Sequence, residues 1–256
     1  MRYPGGKNGG GLYQQIICQM PPHRVYVEPF AGSAAVLRMK RPAYSNLAID
    51  LDPGAVGNLV GAVPAGTELR VGDGIEFLEE WYASQEAVVY CDPPYLATLT
   101  PQRYRFKMGP AEHERLLGAL RRLRCAVLIS GYRSPLYERL LGDWRRVEFP
   151  AWTRGGPAIE VLWCNFAEPK ELHDYRFLGT DHRKRLDIRR QQERWRSRLM
   201  RMDRLQRLAL MEVLCSMEVP AAGGCIRRVR PGMAAINGVP AAIGRPLPLA
   251  RHKCLG

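Results

Sequence analysis

Short apolar runs recur along the first two thirds of the chain, and each is stopped by an acid, a glycine or a proline. Val25-Tyr26-Val27 runs into Glu28-Pro29-Phe30-Ala31-Gly32, and Asn46-Leu47-Ala48-Ile49 ends at Asp50. Glu68-Leu69-Arg70-Val71 ends at Gly72-Asp73-Gly74, and Val88-Val89-Tyr90-Cys91 ends at Asp92-Pro93-Pro94-Tyr95. The run ending at Asp92 predicts a central strand covered on both faces of a sheet, and the other three predict further strands. Helical stretches lie around them: 12–20, a run of small apolar residues after Gly32, 75–83, and 111–122 with Leu116, Leu117 and Leu120 on its buried side. A β-α unit repeated every twenty to twenty-five residues predicts a parallel, doubly wound sheet, with its ligand site at the carboxyl ends of the strands. Residues 125–130 give a fifth strand, and 145–149 with 159–166 give a closing antiparallel pair. The expected class is therefore α/β: a mixed, mostly parallel seven-stranded sheet with helices on both faces.

Beyond this pattern the chain changes character. Residues 182–217 read as one long helix with Trp195, Leu199, Met202, Leu205, Ala209 and Met211 as a rough apolar stripe and arginine on the other faces. After Pro220 no periodicity remains. The expected division is a core domain over 1–168, a basic helical extension over 169–218 and a flexible basic tail over 219–256.

Charge sharpens the reading. The formal net charge is +13, and residues 170–210 hold thirteen Lys and Arg against six Asp and Glu. Such a surplus points to a polyanion, nucleic acid first and an anionic membrane surface second. No run of eighteen apolar residues and no apolar signal core is present, so neither a membrane span nor secretion is expected. The seven cysteines are scattered and form no C-x-x-C pair. Reduced thiols in a cytoplasmic protein are expected, with no metal site.

The residues that carry chemistry lie at the strand ends. In Asp92-Pro93-Pro94-Tyr95 each proline locks its own φ, and Pro94 keeps Pro93 out of helical geometry. A stiff corner of this kind presents one carboxylate, carbonyl oxygens and an aromatic face, a set that suits a planar base with an exocyclic amine. A surface turn with a capping Asp and a packing Tyr is the other reading. Gly5-Gly6-Lys7 fails as a phosphate loop, because no strand precedes it and Asn8 replaces the Ser/Thr needed for Mg²⁺. Asp50 can grip ribose hydroxyls, or cap the helix that follows, a task open also to Asp52. In the stretch 97–110, Arg103, Arg105 and Lys107 alternate with Tyr104 and Phe106, which suits a nucleic-acid strand or an exposed hairpin. Tyr132 can wall the base pocket or pack. His113 is expected to be exposed or structural.

Four elements, in order, resemble the Dam-type DNA adenine methyltransferases, a D-P-P-Y family that uses S-adenosylmethionine (SAM). Tyr3-Pro4-Gly5-Gly6-Lys7 resembles the family's W/Y-x-G-G-K element and Glu28-Pro29-Phe30-Ala31-Gly32-Ser33 its E-P-F-x-G-x-G loop. Asp50 matches the acid after the second strand, and Asp92 to Tyr95 match the catalytic tetrapeptide. The resemblance covers residues 1–96; two departures stand out. Ala34 occupies the place of the second loop glycine, and 81–87 leaves no room for the target-recognition insert of larger members.

The resemblance implies a Rossmann-like methyltransferase fold, SAM as co-substrate and no metal. It implies that Tyr3, Lys7, Glu28, Phe30, Gly32, Asp50, Asp73 and Asp92 line the SAM site, with Asp50 on the ribose and Asp73 near the adenine. Asp92 and the Pro93 carbonyl would accept the hydrogens of an adenine 6-amino group, Pro94 would stiffen the corner, and Tyr95 would stack on the flipped-out base. The implied partner is double-stranded DNA and the implied state a monomer, of the kind found in restriction-modification systems. The rivals are the same chemistry on cytosine, RNA or glutamine, and a non-catalytic nucleic-acid-binding protein on a vestigial methyltransferase domain.

Overall fold

The computed structural model describes residues 11–96, 106–153 and 156–217. Tyr3, Lys7, Arg103, Tyr104, Arg105 and the expected tail lie outside the described residues. Seven strands form one sheet: β1 (Val25–Glu28), β2 (Ser45–Asp50), β3 (Glu68–Val71), β4 (Ala87–Cys91), β5 (Ala126–Gly131), β6 (Arg145–Thr153) and β7 (Gly156–Cys164). Their order is β3-β2-β1-β4-β5-β7-β6. β1 to β5 run parallel, and β7 enters antiparallel between β5 and β6.

Alternation along the strands splits the core in two. On β4, Val89 and Cys91 face one apolar layer, while Val88 and Tyr90 face the other. The first layer is closed by α4 (Gly74–Glu80), α5 (Pro110–Arg122) and α6 (Pro135–Leu140), through Leu78, Leu116 and Tyr137. The second is closed by α1 (Leu12–Ile17), α2 (Ala35–Met39) and α3 (Pro53–Leu59), through Ile16, Leu37 and Leu59. The double layer follows from the period of two in strands whose faces are both apolar.

Local chemistry explains the helix starts. Asp52 caps α3 by accepting from the Gly54 N–H at 3.0 Å, the alternative that the sequence left open for Asp50. Ser134 caps α6 with Pro135 in its first turn, a helix absent from the sequence expectation although both residues signal a start.

The single long helix expected over 182–217 is instead two: α7 (His182–Arg201) and α8 (Arg204–Met217). The break falls at Met202-Asp203, where the Asp203 carboxylate accepts from the Gln206 N–H at 2.9 Å and so restarts the helix. The expected apolar stripe is also not buried: Trp195 and Leu205 are exposed. α7 up to Arg198 belongs to the compact unit that holds the sheet, and among the described residues Leu199 to Met217 belong to a second unit.

Candidate active site

The order of parallel strands reverses between β1 and β4. Chain crossings diverge there, so the crevice at the carboxyl ends of those two strands is where an open α/β sheet takes a ligand. Both termini carry acids: Glu28 ends β1, and Asp92 follows β4 directly.

The loop after β1 is held by β2. The Asp50 carboxylate accepts from the Gly32 N–H at 2.7 Å through one oxygen and from the Asp52 N–H at 2.9 Å through the other. Burial lifts this carboxyl above its ordinary range, against the pull of the two N–H bonds. Gly32 takes a left-handed φ of 49°, and Ala34, two residues on, takes one of 47°. Ala34 thus holds a backbone conformation that ordinarily favours glycine.

Glu28 is only 2% exposed. Its Oε2 accepts from the Tyr26 hydroxyl at 3.0 Å and from the Leu37 N–H at 3.2 Å, which pins α2 to β1. Burial first, and Asp92 after it, push its carboxyl up to about 8, against the hydrogen bonds and Lys40. Phe30 is half-buried against the core.

The third strand's loop is drawn onto the first. A Cβ on Gly74 would overlap the Pro29 carbonyl oxygen, so only glycine lets the start of α4 approach that loop. Asp73, just before it, caps α4 through Oδ1, which accepts from the Ile75 N–H at 2.7 Å.

The corner after β4 has a buried Pro93, with Asp92, Pro94 and Tyr95 half-exposed. The Tyr95 hydroxyl lies 3.2 Å from Asp92 Oδ1 and 2.9 Å from Glu160 Oε1. Burial raises its phenol well above the ordinary value, and the two carboxylates add to that, so the hydroxyl stays protonated and donates. The Tyr132 ring meets the Tyr95 ring edge-on at 4.9 Å between centroids. Behind the corner, His113 is fully buried rather than exposed, with Nδ1 3.0 Å from the Tyr137 hydroxyl. Burial lowers its pKa, while a contact with the Pro94 carbonyl acts in the other direction.

Leu96 and Met108, which flank residues 97–107, are both buried. Lys107 is exposed there. Among the described residues no group of three His, Cys, Asp or Glu is placed to hold a metal ion, and no helix is long and apolar enough to cross a membrane.

Glu160 is the site residue that sequence reasoning missed. Gly131 at the end of β5 pairs with Val161 of the antiparallel β7, so Glu160, one residue earlier in β7, lies just beyond the carboxyl end of β5. That overshoot brings a carboxylate from a distant strand to the corner. One signal was available: a lone acid inside the apolar run Ala158-Ile159-Glu160-Val161-Leu162.

No family model matches the sequence, and no curated protein matches it. Solved structures are similar in fold. A precorrin 8W decarboxylase from Methanobacterium thermoautotrophicum is 14% identical over 64% of this chain and 94% of its own, with a TM-score of 0.45. An rRNA methylase from Streptococcus thermophilus is 14% identical over 60% of this chain and 93% of its own, with a TM-score of 0.40. TrmK from M. capricolum, solved with S-adenosylhomocysteine, is 8% identical over 79% of this chain and 93% of its own, with a TM-score of 0.42. The fold is α/β, a mixed seven-stranded sheet with β7 antiparallel and helices on both faces. At these identities and TM-scores the likeness assigns no activity.

Proposed function

We propose that the chain is a SAM-dependent methyltransferase that acts on the 6-amino group of an adenine flipped out of double-stranded DNA. The observation that carries this reading is the Asp92-Pro93-Pro94-Tyr95 corner, set at the switch point of the sheet beside the Gly32 loop that Asp50 holds.

The chemistry asks for little more. An exocyclic amine has its lone pair delocalised into the ring and attacks poorly. Acceptors for its hydrogens, here the Asp92 carboxylate and the Pro93 carbonyl, draw the lone pair out of conjugation. The nitrogen gains positive charge in the transition state, so acceptors fixed in advance are worth more there than in the ground state. Tyr95 and Tyr132 supply aromatic surface against which a ring can rest. SAM supplies a methyl group on a sulfonium, and alignment with the amine accounts for much of the remaining acceleration.

The residues present suit that donor. The bent Gly32 loop and Phe30 offer backbone N–H groups and an apolar face, Asp50 and Asp73 offer carboxylates at the tips of β2 and β3, and Glu28 acts by pinning α2. Tyr3 and Lys7 complete the set by resemblance. Extrusion of the base costs a few kcal/mol, offset by cations on flanking phosphates. Lys107, with Arg103, Tyr104 and Arg105, is placed for this by its sequence position after the corner.

The test is transfer of labelled methyl from SAM to four substrates: adenine in DNA, cytosine in DNA, RNA, and a glutamine peptide. Label is expected in DNA adenine. Asp92→Ala should lower that transfer by about a hundredfold or more, as loss of a fixed acceptor does elsewhere. SAM binding, read by calorimetry, should persist. Unchanged turnover in the variant removes Asp92 from the chemistry; label in RNA alone replaces the substrate.

A further inference from the structure

We infer that the end of the β6–β7 ribbon enters the duplex beside the extruded adenine, where Ile159 and Pro150 cover base faces that extrusion leaves bare. The inference rests on the function proposed above and names the part of the chain that meets the opened stack. The ladder between β7 and β5 ends at the pair Gly131 and Val161. The ladder between β7 and β6 goes on past it, through Phe149 with Glu160, Pro150 with Ile159, Ala151 with Ala158, Trp152 with Pro157 and Thr153 with Gly156. At about 3.4 Å per residue, the four pairs outward of Glu160 carry a two-stranded ribbon roughly 14 Å beyond it. A DNA groove about 12 Å wide admits such a ribbon.

The foot of the ribbon is fixed on the methyl-transfer corner. Phe149 is 4% exposed in the core, and Glu160 opposite it meets the Tyr95 hydroxyl at 2.9 Å. The next pair outward differs in kind: Pro150 is exposed and Ile159 is 57% exposed. Single exposed apolar residues are ordinary on a surface. Two that stand opposite each other across a ribbon, one residue from the group that touches Tyr95, form an apolar step at the rim of the site. An extruded base leaves its neighbours without a stacking partner, and isoleucine and proline are among the side chains that fill such a gap. Lengthening of the ribbon by a further protein strand is disfavoured, because Pro150 and Pro157 each take away an N–H.

Single-turnover methyl transfer by the full chain tests this on two duplexes built on one sequence that the chain methylates. In the first the target adenine pairs with thymine; in the second it lies opposite an abasic site, so extrusion costs little. Ile159→Ser should slow transfer on the paired duplex by about tenfold, as expected when one uncovered step loses its apolar cover. On the abasic duplex the same variant should lose less than about twofold. Ile159→Leu keeps an apolar surface and should recover most of the rate. Ile159→Thr keeps the β-branch that strands favour and should show the same contrast if the serine variant folds poorly. With 2-aminopurine in place of the target adenine and S-adenosylhomocysteine bound, the fluorescence rise on the paired duplex should also shrink in Ile159→Ser.

Equal losses on the two duplexes, or no loss on the paired one, overturn the inference. So does a change of oligomeric state in Ile159→Ser with transfer intact, which would assign this face to a second copy of the chain. If the unmodified chain methylates adenine in neither duplex, the proposed function fails instead.

Discussion

At Ala34 the backbone holds φ 47° and ψ 41° with the side chain fully buried. A left-handed conformation costs an L-residue roughly 1–2 kcal/mol, and here it is imposed by the turn that feeds α2. Replacement by Gly would relieve that strain but would lose a buried methyl of about 0.8 kcal/mol and add chain entropy of about 0.5–1 kcal/mol. Ala34→Gly should therefore leave stability within about 1 kcal/mol, whereas Ala34→Val, β-branched and without room, should destabilise by about 3 kcal/mol or more. Urea unfolding of both variants checks this; a neutral valine would mean that the turn is not fixed. The position also shows what is legible at this scale. Reading the chain locates Ala34 in the place of a glycine, because resemblance aligns positions. It does not show that the backbone there is left-handed. Asp50 is similar: an acid at a strand tip is readable, but the engagement of both its oxygens by N–H groups depends on how Gly32 and Asp52 fold back on it.

Elements were legible where both faces are apolar and illegible where context sets their ends. β1 to β5 follow from their apolar runs. The β6–β7 hairpin is longer than the 145–149 and 159–166 expected, since its Pro- and Gly-rich tip reads as loop; Glu160 lies within the expected strand, and what was not legible is the register that sets it beside the end of β5. The segment after β7 is another case. It lies over the amino end of the sheet: the His173 ring stacks on His23 at 3.7 Å, the His173 N–H donates to the Met20 carbonyl at 3.0 Å, and Asp174 accepts from the Arg41 N–H at 2.8 Å. Burial, with Lys40 next, pushes His23 down to about 3, and burial lowers His173 as well. A folded-state pKa below the unfolded value means stability present above about 6.5 and lost as pH falls toward 3. Between pH 7 and pH 5 the His23 contribution should fall by about 2 kcal/mol. Glu28, pushed up to about 8, acts in the opposite sense, stabilising as pH falls from 8 toward 4.5, whereas Lys40, lowered from 10.5 to about 7, loses its contribution as pH falls through that range and changes little below it. The clean observable is thus the difference between the natural chain and His23→Phe, which should narrow or reverse by about 2 kcal/mol on going from pH 7 to pH 5 in urea titrations. A difference that does not change with pH would mean that His23 titrates normally.

Over the whole molecule, the charge surplus is unevenly spread along the chain. α7 carries nine Lys and Arg against Asp187 and Glu193, about half of the net +13. It has no buried residue along its length, and Trp195 is 51% exposed with the Arg198 guanidinium over its ring. Such a helix gains little from packing, so its sequence answers to something other than the core. Arg183, Arg190, Arg194 and Arg198 fall within roughly 80° of one another around the helix, along about 22 Å of its axis. An aligned row of guanidinium groups suits a phosphate backbone. Solvated arginines scattered for solubility would not need alignment. If the row grips DNA as the proposed function requires, replacing all four by Gln should flatten the slope of log K against log salt by about 3–4, because each phosphate contact releases about 0.9 counterion. Methyl transfer at saturating DNA should be retained, since none of the four belongs to the corner. Fluorescence anisotropy of a labelled duplex from 50 to 200 mM salt measures the slope directly. An unchanged slope would leave α7 a solvated appendage and shift the burden of backbone contact to the stretch around Lys107, whose alternating cations and rings are then the next surface to neutralise.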